Sequence, residues 1–186
     1  MNPLLTMFVM YIVFSTLFRS SIDNFPAYLL TGIVFWNFFS ETTNTCLSSI
    51  TGNTALITKV YVPKYMYPLS RSVSCMVNLA MSLIPLVGVL LLTHDLPTRS
   101  WALIWFPLVC LFLFSAGMGL LLAAAMVFFR DIQFLWSVIS MLWMYLTPIF
   151  YDASIIPEQY LTLYKMNPLF HIIRIARVLL IDGVSP

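Results

Sequence analysis

From Trp101 to Phe129 no residue carries a charge. As a helix this stretch is about 43 Å long at 1.5 Å per residue, more than the roughly 30 Å of a bilayer's hydrocarbon core. It has no polar face to turn toward water, so it must tilt or protrude within a membrane. The rest of the chain agrees. Only 9% of its residues are charged and 61% are hydrophobic, whereas a soluble domain carries about 25% charged residues. Lipid is therefore the main solvent, and the chain is an all-α, polytopic transmembrane helical bundle forming a single domain over residues 1–186.

Four other stretches complete an expected set of five spans. Pro3–Phe18 is short, about 24 Å as a helix, and its lack of a basic leader makes it a span rather than a cleaved signal. Phe25–Ile50 is interrupted only by Glu41, Ser72–Thr93 contains Pro85 as an expected kink, and Ile132–Tyr151 is just long enough. Lys59, Lys64, Arg71 and Arg130 fall in the connections on one side and Arg19 and Arg99 on the other. This bias puts Gly52–Arg71 in the cytoplasm, although Lys165, Arg174 and Arg177 of the tail argue the other way. Pro157 and Pro168 divide the tail, 152–186, into pieces too short to cross. Pro168–Ile181 would be about 21 Å long, with His171, Arg174 and Arg177 near one face, which suits an interfacial or re-entrant segment.

Within the spans, polar residues stand out. Asn37, Glu41 and Asn44 recur at helical spacing and share a face with Ser48. An intramembrane carboxyl group costs about 3 kcal/mol on insertion scales, so Glu41 should face protein or water. The stripe reads equally as part of a translocation path or as hydrogen-bonding between helices. Ser115, Gly119 and Ala123 are spaced by four and suit close helix packing. Aromatics cluster at Phe35, Trp36, Phe38 and Phe39, and at Trp143, Tyr145, Phe150 and Tyr151. Most such residues belong to interfacial belts or lipid-facing bulk; a minority could stack against sugars. The loop Thr54–Pro68 mixes Leu56, Ile57, Val60, Tyr61 and Val62 with Lys59 and Lys64. It reads as a short amphipathic helix that docks on a soluble partner or lies on the membrane surface.

Other chemistry is disfavoured. Cys46, Cys75 and Cys110 match no metal-binding spacing and read as small apolar residues. His94 and His171 are far apart, no phosphate-binding glycine loop occurs, and no catalytic motif is present. A net charge of +2 gives no footprint for nucleic acid. An intramembrane transferase would need ionisable partners for Glu41, which the spans lack, and a purely structural anchor would not explain Glu41 at all.

Several stretches together resemble the permease subunits of ABC transporters that export O-antigen, capsule or teichoic acid. Asn2-Pro3-Leu4-Leu5 is similar to the start of that family's first span. Leu30-Thr31-Gly32, followed by Phe35-Trp36-Asn37-Phe38-Phe39-Ser40-Glu41, resembles its second-span signature. Asn53, with Leu56-Ile57-Thr58-Lys59-Val60-Tyr61-Val62-Pro63, resembles the segment between spans two and three. Arg130-Asp131-Ile132 and Thr147-Pro148-Ile149-Phe150-Tyr151 are similar to the bounds of the fifth span. Met166-Asn167-Pro168-Leu169, Arg177 and Gly183 are similar to the closing motif.

The resemblance implies five spans plus short re-entrant helices in the tail, without the family's amphipathic N-terminal segment and last span. It implies a homodimeric half-transporter in the cytoplasmic membrane of a bacterium, moving a lipid-linked glycan. A related exporter of drugs or small lipids is the alternative. ATP and Mg would bind a separate nucleotide-binding ATPase subunit, leaving this chain with no cofactor, no metal and no catalytic residue. Asn53, Leu56, Ile57, Lys59, Val60, Tyr61 and Pro63, with Arg130 and Asp131, would couple to that subunit. Phe35, Trp36, Asn37, Glu41, Asn44 and Tyr145 would line the path.

Overall fold

The computed structural model describes residues 25–53, 62–92, 103–151 and 164–182. The described residues form helices and turns, with no strand among them. Helix α1 spans Phe25–Leu47 and ends in a 3-10 turn, Thr51–Asn53. Helices α2 (Met66–Leu92), α3 (Trp105–Phe128) and α4 (Ile132–Leu146) follow, and a tail helix α5 (Pro168–Arg177) continues into a π turn, Val178–Asp182. These four longer helices correspond to the second through fifth expected spans. The first, Pro3–Phe18, lies outside the described residues, as does most of the coupling loop.

Helix α1 lies at the centre and packs against both α2 and α3. Cys46 meets Ser72, Thr45 meets Cys75 and Glu41 meets Asn78, so α1 and α2 run antiparallel. Phe39 stacks on Phe114 and Cys46 lies against Gly119, so α1 and α3 run parallel. The core follows from that centrality: Leu29, Leu30, Val34, Phe35 and Phe39 are all fully buried. The outer faces of α2, α3 and α4 expose Val77, Met81, Leu113, Leu121, Phe134 and Leu142. In water such a surface would be untenable; in lipid it is the expected one. Helices α2 and α3 are each long and apolar enough to cross a membrane.

Three expected boundaries shift for physical reasons. Helix α2 begins before Pro68, because a proline in the first turn sacrifices an N–H that has no helical partner anyway. The helix also runs on through Pro85. Helix α3 is shorter than the uncharged stretch that contains it, about 36 Å at 1.5 Å per residue. Helix α4 stops at Leu146, so its 15 residues reach only about 22 Å, short of a full crossing.

The tail makes up the difference. Asn167 caps α5 by accepting the Leu169 N–H on Oδ1 at 3.1 Å, and Pro168 occupies the first helical position. Leu169, Ile172, Ile173 and Ala176 are buried, and α5 packs against α1 and α3. The expected single basic face is corrected. His171 and Arg174 are exposed, but Arg177 points inward and is only 8% exposed. Six positions on from His171 is a rotation of about 240°, which carries the last arginine to the apolar side.

Candidate functional site

The antiparallel and parallel pairings sort the chain into two ends. At one end, α1 runs out into the Thr51–Asn53 turn, α2 begins after Pro63, and the turn between α3 and α4 presents Arg130 and Asp131. Asn53 caps locally: its Nδ2 donates to the Ser49 carbonyl at 2.7 Å, one of those a helix C-terminus leaves unpaired. Pro63, Arg130 and Asp131 are exposed. These four sequence-predicted coupling residues therefore share an end, while Leu56, Ile57, Lys59, Val60 and Tyr61 lie outside the described residues.

Just inside that end runs a polar seam between α1 and α2. Cys46 Sγ and Ser72 Oγ lie 3.2 Å apart, Cys46 also reaches the Pro68 carbonyl at 3.2 Å, and Thr45 Oγ1 lies 3.5 Å from Cys75 Sγ. Further along, Asn78 Nδ2 donates to Glu41 Oε1 at 2.5 Å. The same Cys46 side chain also abuts α3: a Cβ on Gly119 would sit 2.9 Å from its Sγ and its Cβ, so glycine gives the close fit there. Ser115 and Ala123 are buried along the same face of α3, as their spacing implied.

The residues expected to line a path separate into three environments. Asn37 and Glu41 are partly buried on the side of α1 facing α2, and Asn44 is exposed with its amide bonded to the Ser40 carbonyl at 2.7 Å. Phe35 and Trp36 are buried in the core of the single chain. Tyr145 is exposed near the end of α4, whereas Asn44 lies near the opposite end of the bundle. The aromatic stretches meet in the interior rather than forming a belt: Phe39 contacts Trp36 at 5.5 Å, Phe114 at 5.6 Å and Trp143 at 5.5 Å between ring centroids.

At the opposite end α4 stops short, and residues 147–149 are buried non-helical backbone. Such backbone is tolerated at membrane depth only where protein satisfies it. Arg177 does so: Nη1 donates to the Pro148 carbonyl at 2.8 Å and Nη2 to the Ile149 carbonyl at 3.0 Å. Its guanidinium carbon lies 3.5 Å from the centre of the Tyr28 ring. Gly32 is required there, because a Cβ would lie 2.6 Å from Nη2. Asn167 adds a second tie, accepting from Trp143 Nε1 and donating to Thr147 Oγ1, each at 3.0 Å. Tyr28 donates to the Tyr151 carbonyl at 3.1 Å, and the Tyr151 hydroxyl meets both the Tyr145 carbonyl and Tyr164. Sequence reasoning placed Gly32, Asn167 and Arg177 in separate motifs without seeing that they meet around one turn; an arginine among Ile and Leu was the available signal.

The model of the ABC-2 type transporter family matches residues 1–181. The chain belongs to that family. As an ABC-2 type transporter protein it is also similar to O-antigen export system permease proteins. One from Klebsiella pneumoniae is 31% identical over 98% of this chain and 71% of the relative's length. A second from the same organism is 29% identical over the same shares. One from Myxococcus xanthus is 34% identical over 86% of this chain and 61% of its own length. ABC-2 family members of this kind are membrane subunits of transporters, so a helical bundle with polar residues at its seams and ends is the architecture to interpret.

Proposed function

We propose that this chain is the membrane-spanning half-transporter of an ATP-driven exporter that moves lipid-linked polysaccharide across a bacterial cytoplasmic membrane. The observation that carries this reading is the similarity, over 98% of the chain, to a permease named for O-antigen export. The shared end supports it: Asn53, Pro63, Arg130 and Asp131 lie where a soluble subunit could reach them together. A separate nucleotide-binding subunit binds ATP and Mg and hydrolyses the nucleotide; this chain holds no cofactor and performs no chemistry. Two copies of the chain frame the path, with Glu41 and Asn44 toward the coupling end and Tyr145 toward the tail end.

Force reaches the spans through the loop. Leu56, Ile57, Val60 and Tyr61 give it an apolar surface to seat in a groove of the ATPase, and Lys59 adds a charge at the rim. Central α1 leads into that loop through the Thr51–Asn53 turn, and its close fit to α3 at Gly119 makes the two move as a unit. The test is to place Glu at position 56 or 60 and measure ATPase activity and export in the assembled complex. Leu56→Glu or Val60→Glu is expected to leave the partner's basal hydrolysis intact while export falls at least tenfold. Normal export with both substitutions would reject the loop as the coupling element.

A further inference from the structure

Thr31, Thr43 and Thr45 on α1 each donate their hydroxyl to the carbonyl four residues earlier, at 2.8 to 2.9 Å. Ser70, Ser72 and Ser74 on α2 bond to their own helix in the same way. Thr42 Oγ1 on α1 and Ser115 Oγ on α3 depart from this habit. Both oxygens are buried with no hydrogen-bond partner, and both residues are fully enclosed by protein. The pairing of α1 with α3 brings them to one level. Phe39 stacks on Phe114 at one point of that contact, and Cys46 lies against Gly119 at another. Thr42 stands one turn before Cys46 and Ser115 one turn before Gly119, on helices that run parallel. The Thr42 carbonyl would also lie 3.9 Å from a Cβ on Gly119, so this turn of α1 borders α3 directly.

We propose that a single buried water molecule bridges Thr42 Oγ1 and Ser115 Oγ and ties α1 to α3. The inference rests on packing within the chain and not on what is exported. A buried hydroxyl that bonds to nothing is costly, and here neither lipid nor bulk water reaches it to relieve the cost. Turning the hydroxyl hydrogens does not help, because neither oxygen has a partner at bonding distance and angle. Polar groups that face each other across more than a direct bond are the setting for a bridging water. Such a water donates to one hydroxyl oxygen and accepts from the other. Its remaining hydrogen has the second lone pair of a neighbouring helix carbonyl to bond. That makes three bonds, the number typical of roughly every buried water. The face of α3 suits the site, since Ser115, Gly119 and Ala123 are all small and buried, and a larger side chain at 115 would take the water's place. The bridge would hold α1 to α3 one turn away from the close fit at Gly119.

The full chain in lipid nanodiscs, with its structure determined finely enough to show ordered water, tests the site directly. One density peak is expected about 2.8 Å from both Thr42 Oγ1 and Ser115 Oγ. Unfolding in mixed detergent micelles reads the same bridge as an equilibrium. Thr42→Val and Ser115→Ala are each expected to shift that equilibrium about fivefold toward the unfolded state. The two together should shift it about fivefold in total and not the roughly 25-fold of independent sites, because either loss already breaks the bridge. Hydroxyls in direct contact, hydroxyls turned back onto their own helices, or an empty gap between them would overturn the proposal. So would independent effects of the two substitutions, or stabilisation by either, which is the mark of a hydroxyl that bonds to nothing. The density in the parent chain decides the matter even where a variant does not fold.

Discussion

Replacing Arg177 with methionine removes a charge while keeping most of the apolar stem, and its consequence can be worked from the geometry. Two charge-assisted hydrogen bonds, at 2.8 and 3.0 Å, are lost, and the Pro148 and Ile149 carbonyls lose those donors in a buried turn. Each such bond contributes about 1.5–3 kcal/mol, and each orphaned buried group costs about 1–3 kcal/mol. Loss of the contact with Tyr28, 3.5 Å from its ring centre, adds up to about 2 kcal/mol. Against this, the variant no longer buries a guanidinium, a saving of several kcal/mol. The net destabilisation is about 3 kcal/mol, roughly a 150-fold shift in the unfolding equilibrium. Reversible unfolding in mixed detergent micelles measures it. Lysine at the same position, with a single point of donors rather than a fork, should recover about half. Gly32→Ala should be costly alone, since its Cβ would lie 2.6 Å from Nη2, yet add less to Arg177→Met, where only the contact with Ile149 Cγ2 at 3.0 Å remains. A loss below 0.5 kcal/mol for the methionine variant, or full additivity with Gly32→Ala, would refute the view that the arginine holds this turn.

Gly119→Ala is expected to destabilise by about 1–3 kcal/mol through overpacking against Cys46, whereas Gly117→Ala, with nothing within 4 Å of its Cβ, should be neutral or slightly stabilising; the same unfolding assay compares them.

How much of this was legible in the sequence depends on what each residue answers to. Span positions follow from apolar runs, which any lipid-facing helix requires, and so α1 to α4 fall close to their expected places. Their ends depend on backbone details: Pro68 reads as a break but tolerates the first turn, and the run to Tyr151 conceals a helix that stops at Leu146. The burial of Phe35 and Trp36 was invisible because an apolar residue in a membrane span looks the same facing lipid or core. The Arg177 clamp depends on contacts 28 and 29 positions apart in sequence, beyond any local pattern. Only the oddity of an arginine among Ile and Leu hinted at it.

Several polar side chains of α1 serve the backbone they come from. The hydroxyls of Thr31, Thr43 and Thr45 donate to carbonyls four residues earlier, at 2.8 to 2.9 Å, and Asn44 does likewise at 2.7 Å. These groups are satisfied within the helix and need neither water nor a partner. Glu41 differs, because it reaches across to Asn78. A glutamine would accept that bond equally well, at less cost to membrane insertion than a carboxyl group. Interhelical adhesion therefore explains the contact but not the choice of glutamate, whereas a wet surface along an export path would explain both. Glu41→Gln separates the two. Thermal stability should remain within about 1 kcal/mol of the parent, since the Asn78 bond survives. Export by the assembled complex, measured as polymer reaching the far side, should fall severalfold with ATP hydrolysis retained. Unchanged export at unchanged stability would leave Glu41 as adhesion between α1 and α2 and remove it from the path.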